Sequence, residues 1–285
     1  MANAPVRFVA AGDVLVDVIA DEPPAGVNRV HAPVSIRAGG SAANAAVWAA
    51  ALGASATVVG RVGADPAGGL VASTLSARGV DAILARDEDA PTGAAIGLGA
   101  STTIASPGAS TRLGPDDVPQ TLEGDALLVS GFSLLQESSA AGARAALERF
   151  GGAWAAVDLA SPGLARRASG RLQEVGEGAG VVLATAEEAH AATGLDAEDA
   201  AYALAGPFTV ACVKLGERGA IAARGDELVR AAAEPVARRS RFGAGDAFAA
   251  SLLVALAGGA SLADALAGAC ETGARAAASE DGWPA

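Results

Sequence analysis

The stretch 125-DALLVSG-131 sets the pattern of the chain: an apolar run too short for a helix that ends at a small polar residue and a glycine. Short apolar runs return at 153-AWAAVDL-159 and 180-GVVLA-184, with helical spacing between the runs, as over Glu137 to Phe150 and around Glu187. Further apolar runs follow at 208-FTVACVKLG-216 and 220-AIAAR-224. The chain then turns to two long helices, Ala244 to Ala257 and Leu262 to Ser279. Buried strands alternating with helices predict a largely parallel sheet covered on both faces.

Upstream of this region the same alternation holds, with an interruption. Val6 to Ala11 reads as a buried strand ending at Gly12 and Asp13, and Val14 to Ala20 continues as extended chain with Asp17 inside it. Ser41 is the expected N-cap of a helix over Ala42 to Leu52, closed by Gly53. Ala56 to Gly60 reads as the next core strand and Asp65 to Arg78 as the returning helix. The segment before Gly39 and the segment Thr92 to Ala100 read as a small β flap beside the core, and 105-ASPGASTRLGPDDVPQ-120 as turn-rich loop.

The totals limit what such a protein does. The chain has 285 residues, 51% hydrophobic and 4% aromatic, so a sizeable core must be built from Ala, Val and Leu. A net charge of −12 disfavours general nucleic-acid binding. No segment reaches the roughly 18 apolar residues of a membrane span, and no signal peptide opens the chain, so the cytoplasm is the expected location. Cys212 and Cys270 show neither pairing nor metal-ligand spacing and read as buried thiols.

The chemistry concentrates at helix starts and strand ends, where ligands gather in such sheets. In 243-GAGD-246, Gly243, Ala244 and Gly245 leave three amides almost uncovered at a helix start, a ready anion site. Asp246 is then either an ordinary helix-start acid or a base that takes a proton from whatever attacks a phosphate held there. Asn44, in the first turn of its helix, either satisfies that turn or exchanges hydrogen bonds with a sugar hydroxyl. Asp17 either faces solvent on the flap or finds partners among the hydroxyls of a polyol. Gly39, Gly40, Glu188 and Gly216 fall where the same cleft would collect them.

Five segments in order carry a resemblance over nearly the whole chain: 38-AGGSAANAAVWAAALG-53, 60-GRVGADPAGG-69, 91-PTGAAIGL-98, 213-VKLGERGA-220 and 241-RFGAGDAFAASLLVAL-256. They resemble the signatures of the PfkB, or ribokinase-like, carbohydrate kinases. The resemblance implies one α/β domain over residues 1–285, a three-layer α/β/α sandwich with a mostly parallel central sheet. A small β-sheet lid, approximately residues 14–37 and 90–106, would be inserted in it. It implies ATP-dependent phosphotransfer to a hydroxymethyl group of a small sugar, sugar acid or nucleoside. Asp246 would be the base, and Gly243, Ala244 and Gly245 the anion hole. Asp17, Gly39, Gly40 and Asn44 would hold the acceptor, and Thr185, Lys214 and Gly216 the nucleotide. Glu188 would help hold Mg²⁺ through water. The open edge of lid strands also points to a homodimer through the lid.

Three departures from the family pattern bear on these roles. Ser240 stands where members usually carry an acid that helps bind a monovalent cation, which argues against potassium dependence and raises the alternative that Arg239 or Arg241 supplies fixed charge. Thr185 replaces the usual Asn before Glu188, and Leu15 replaces an acceptor-binding Asn, which points away from ribose as the acceptor. A degenerate member that binds sugar or nucleotide without efficient transfer is the alternative function. A nicotinamide-dependent dehydrogenase is disfavoured because no G-x-G-x-x-G follows the first strand.

Overall fold

The structure, a computed structural model, describes residues 4–20, 29–98, 102–237, 239–240 and 242–285. Its strands are β1 (Arg7–Ala11), β2 (Leu15–Ala20), β3 (Val34–Gly39), β4 (Ser55–Gly63), β5 (Val80–Asp87), β6 (Thr92–Leu98), β7 (Thr102–Gly108), β8 (Ala126–Val129), β9 (Trp154–Asp158), β10 (Val181–Thr185), β11 (Val210–Lys214), β12 (Ala220–Arg224) and β13 (Glu227–Ala231). Its α-helices are α1 (Ser41–Ala51), α2 (Pro66–Ala77), α3 (Gly131–Leu134), α4 (Ala140–Arg149), α5 (Pro162–Ala168), α6 (Leu172–Val175), α7 (Ala186–Thr193), α8 (Ala197–Ala205), α9 (Ala244–Ala257) and α10 (Leu262–Ala278).

Nine strands form the main sheet in the order β13-β12-β11-β10-β9-β8-β1-β4-β5. All neighbours from β5 to β11 pair in parallel, and β12 and β13 add an antiparallel hairpin at one edge. Alternation along β1 feeds a core on each face: Phe8 and Ala10 pack with Trp48, Leu252 and Leu253, while Val9 and Ala11 pack with Leu127, Leu147 and Leu204. Helices therefore cover both sides, as the sequence predicts. Because β1 lies between β4 and β8, the chain leaves it in both directions, which opens a crevice at its carboxyl end.

Four strands form a second sheet in the order β3-β2-β6-β7. Register puts Asp17 opposite Arg37 and Ala95, on the face turned toward the crevice. Val18 aligns with Ile36 and Ile96, and Ile96 with Ile104, on the other face.

Several local expectations are corrected. Gly40, not Ser41, is the N-cap of α1, with no side-chain cap bond. Residues 105–108 belong to β7 rather than to a loop, and 3₁₀ turns follow at Ala109–Arg112 and Pro115–Asp117. Pro107 is tolerated there because β7 is an edge strand and needs no donor on its outer side. Strands β5 and β13 and helix α8 are additional to the elements read from the sequence. Strands β5 and β13 are half-exposed, and α8 buries only Ala200, Ala201 and Leu204 on one face.

Candidate active site

The start of α9 is built around a residue that only glycine suits. Gly243 has φ 83°, and a Cβ there would fall 2.5 Å from the Gly282 carbonyl oxygen. As N-cap it offers no side-chain acceptor, so the first-turn amides are left for something outside the helix. A Cβ on Gly245 would come 3.3 Å from Lys214 Nζ, which places that ammonium over the same turn.

Asp246 projects from this turn into a cavity of about 470 Å³. Its Oδ2 accepts a hydrogen bond of 3.0 Å from Asn44 Nδ2. Burial pushes its carboxyl up from 3.8 to about 6; Asn44 and Lys214 oppose the rise, and Asp13 and Asp17 add to it. The cavity is also lined by Gly40, Asn44, Asp13, Asp17, Asp158 and Glu188, at the carboxyl ends of the central strands. A second cavity of about 350 Å³ is lined by Gly216, Gly219, Ala244 and the α10 residues Cys270, Gly273 and Ala277. Thr185, Lys214 and Gly245 line both, so the two spaces meet at the start of α9.

The structure thus brings together nearly every residue the sequence nominates, though not always with the partners expected. Asp17 is 1% exposed and lies 3.1 Å from Arg37 Nη1, so its nearest partner is a buried guanidinium rather than solvent. Burial raises its carboxyl to about 7 against the pull of Arg37. Gly39 leaves room for it: a Cβ there would sit 2.1 Å from Asp17 Cγ. Asn44 Oδ1 accepts from Arg37 Nη1 at 2.9 Å and from Trp283 Nε1 at 2.8 Å. Glu188 closes a capping box, its Oε2 accepting from Thr185 N at 2.7 Å while Thr185 Oγ1 accepts from Glu188 N at 3.2 Å.

Other expectations are met differently. Arg239 is exposed and lies 3.8 Å from Glu280, and Arg241 falls outside the described residues. The guanidinium beside the site is that of Arg37, which donates at 2.6 Å to the carbonyls of Ala38 and Asp281. His31 is exposed and lines neither cavity, and His190 lies on the surface of α7. Cys212 and Cys270, by contrast, are free and buried as expected.

Two lining residues escaped the sequence reading. Asp158 ends β9, and its Oδ1 accepts from Gly131 N at 2.9 Å. Burial pushes its carboxyl to about 7, with Lys214 opposing and Asp246 and Glu188 adding to the rise. An acid closing an apolar strand, as Asp13 does after β1, is the signal that marks it. Two residues on, Ala160 has φ 59°, a left-handed backbone at a non-glycine residue facing the cavity.

Among the described residues no three Asp, Glu, His or Cys side chains cluster as metal ligands. Glu188, one of five carboxylates on the cavity wall with Asp13, Asp17, Asp158 and Asp246, fits a Mg²⁺ ion that keeps most of its waters and takes its other ligands from phosphates.

The fold is that of the ribokinase-like kinases. Adenosine kinase from Sinorhizobium meliloti superposes with a TM-score of 0.87 at 23% identity, over 99% of this chain and 96% of that one. Fructokinase from Vibrio cholerae, solved with fructose, ADP and calcium, gives 0.82 at 27% identity, over 97% of this chain and 94% of that one. Aminoimidazole riboside kinase from Salmonella enterica gives 0.80 at 24%, over 97% and 95%. Residues 7–282 match the pfkB family carbohydrate kinase model, and the chain belongs to that family of carbohydrate kinases.

Proposed function

We propose that the protein transfers the γ-phosphoryl group of ATP to a hydroxymethyl group of a small sugar, sugar acid or nucleoside, with Asp246 as general base. The observation that carries this reading is the meeting of two cavities at Gly245 and Lys214, with the Asp246 carboxylate on the wall of one of them. The larger cavity takes the acceptor and the smaller the nucleotide.

In this mechanism the acceptor O–H gives its proton to Asp246 as its oxygen bonds to the γ-phosphorus. The bridging P–O bond to the β-phosphate breaks, and ADP leaves. Phosphoryl transfer through a loose transition state asks mainly for positioning and charge stabilisation. The amides of Gly243, Ala244 and Gly245 and the Lys214 ammonium supply positive potential for the migrating group. Thr185, Lys214 and Gly216 line the nucleotide side. Gly39, Gly40, Asp17 and Asn44 shape the acceptor side, where Asn44 keeps one N–H beyond its bond to Asp246. Glu188 would hold Mg²⁺ through water, and that ion would neutralise charge on the nucleotide phosphates. Arg37, which interacts electrostatically with Asp246, supplies fixed positive charge beside the acceptor side, in keeping with activity without a monovalent cation.

The second sheet acts as the lid that keeps water from the phosphoryl group. Its far face carries exposed Val34, Ile36, Ile96 and Ile104, aligned by strand register. That apolar face suits an isologous contact with a second copy, so the assembly is a homodimer through the lid. No helix among the described residues is long and apolar enough to cross a membrane. Use of ATP and two buried free thiols suit the cytoplasm.

An ADP-release screen over pentoses, hexoses, ketodeoxy acids and nucleosides tests the reading, run with the native protein and Asp246→Asn. One acceptor class should support turnover. The variant should lose at least about a hundredfold in kcat, as for a missing general base, and still bind ATP. Equal rates would remove Asp246 from the reaction, and ATP binding without turnover on any acceptor would favour the degenerate alternative.

A further inference from the structure

We propose that Trp283 and Arg37 are positioning residues for the base, acting through the Asn44 side-chain amide. The inference rests on the reading of Asp246 as base.

An amide side chain has two faces that differ chemically but not in shape, and only its partners decide which way it points. At Asn44 both partners on one side are donors that cannot accept. The Trp283 indole N–H and the Arg37 guanidinium each reach Oδ1, at 2.8 and 2.9 Å. Neither bond survives if the amide turns over. The NH₂ group is thereby held toward Asp246, and Nδ2 donates to Oδ2 at 3.0 Å. With Oδ2 engaged, Oδ1 of Asp246 is the oxygen left to receive the proton from the acceptor alcohol.

The indole is itself fixed. Trp283 is 2% exposed, and its ring carries the Arg37 guanidinium 4.4 Å from the ring centroid. The adjoining turn is tied by Trp48 Nε1 donating to the Gly282 carbonyl at 2.9 Å and by Gly282 N donating to Ser279 Oγ at 2.8 Å. Arg37 Nη2 donates at 2.6 Å to the Asp281 carbonyl of the same turn. Residues 281–283, far from the GAGD turn in sequence, thus set the orientation of an amide one hydrogen bond from the base.

The charged groups around Asp246 are Asp13 after β1, Asp17 on β2, Arg37 on β3, Asp158 on β9 and Lys214 on β11. None of them is removed by Trp283→Phe, which deletes the indole N–H and keeps a ring under Arg37. The Asn44 amide, held on its Oδ1 side by Arg37 alone, keeps its orientation less firmly and holds the ionised carboxylate less well. The variant should lower kcat about tenfold, the effect of one hydrogen bond to a buried charged group, with KM for ATP unchanged. The acid limb of its pH–rate profile should move to higher pH, because the bond that favours the ionised base is weakened.

A double-mutant cycle with Asn44→Ala isolates the route. In the Asn44→Ala background, Trp283→Phe should change kcat less than about twofold, since the amide through which it acts is gone. Trp283→benzothienylalanine keeps the fused-ring shape, replaces N–H by sulfur, and should reproduce the tenfold loss and the shifted limb should the Phe variant fold poorly. A native kcat and acid limb in the benzothienylalanine protein would overturn the proposal, as would an equal loss in both backgrounds. Full activity of Asp246→Asn would instead overturn the reading of the base. A dead Asp246→Asn with unaffected position-283 variants would overturn only the present inference.

Discussion

Two carboxylates occupy the third residue of a helix beside the same cavity, and they are used in opposite ways. Glu188 of α7 folds back on its own helix, because its N-cap is Thr185 and a hydroxyl there completes a reciprocal box. Asp246 of α9 has Gly243 as its cap, with no side chain to complete anything, and instead takes a donor from Asn44, distant in sequence. The cap residue thus decides whether an acid near a helix start closes a box with its own N-cap or takes a donor from distant chain. It also decides whether the first-turn amides stay available to an anion.

The sharpest way to break this contrast is to give the α9 cap a side chain. Gly243→Ala requires a left-handed alanine and a Cβ 2.5 Å from the Gly282 carbonyl, so the turn must shift. Steady-state kinetics should show a kcat loss of at least about a hundredfold, the scale of removing one oxyanion-hole donor. The melting temperature should fall too. A variant with native kcat would show that the shape of this turn does not matter to the reaction.

A second test uses the acidity of the uncapped carboxylate. Burial places Asp246 at about 6, so the base is ionised above that pH and protonated below it. At saturating ATP, kcat/KM for the acceptor should be level above about pH 7 and fall about tenfold per pH unit well below 6, as a single required base dictates. A profile flat to pH 4.5 would contradict the proposed role.

Asp158 sharpens the comparison by offering a third acid with neither box nor helix. Its carboxyl is raised from 3.8 to about 7, so the folded protein holds that proton more tightly than the unfolded chain does. Its stabilising contribution is present below about 4 and is lost as pH rises toward 7. Asp158→Asn keeps the oxygen that accepts from Gly131 N and removes the titration. Thermal melts should give a variant a few degrees more stable than the native protein at pH 8, with the gain shrinking to nothing near pH 4. A gain independent of pH would show that ionisation of Asp158 is not the cause.

The parts of this arrangement legible in the sequence are those set by local chemistry. The bounds Ala244–Ala257 of α9 follow from the glycines at both ends, and the buried apolar runs mark the parallel strands of the main sheet except β5. The motif residues of the site converge because strand ends and helix starts must meet at the sheet's crevice. Arg37 and Trp283 escaped because their contacts depend on register or on distant chain. Arg37 meets Asp17 only because β3 pairs with β2 in one register, and Trp283 reaches Asn44 across most of the chain. Neither residue has a local pattern that announces its partner. The tract at 105–108 misled because its Ser-Pro-Gly composition is that of a turn, while an edge position lets the same residues pair as strand.

The gentlest test is on the capped side. Thr185→Ala removes the hydroxyl that accepts from Glu188 N and should cost about 1 kcal/mol, the usual value of an N-cap, read from chemical denaturation. Thr185→Ser keeps the hydroxyl and should restore most of it. The consequence for Glu188 separates its two tasks. In the native protein Oε2 is held by Thr185 N, an arrangement that survives only while the helix start is ordered. If Glu188 also acts on Mg²⁺ through water, loosening the box raises the Mg²⁺ concentration needed for half-maximal rate in the Ala variant and leaves it native in the Ser variant. Loss of stability with an unchanged Mg²⁺ requirement would instead assign Glu188 to capping alone.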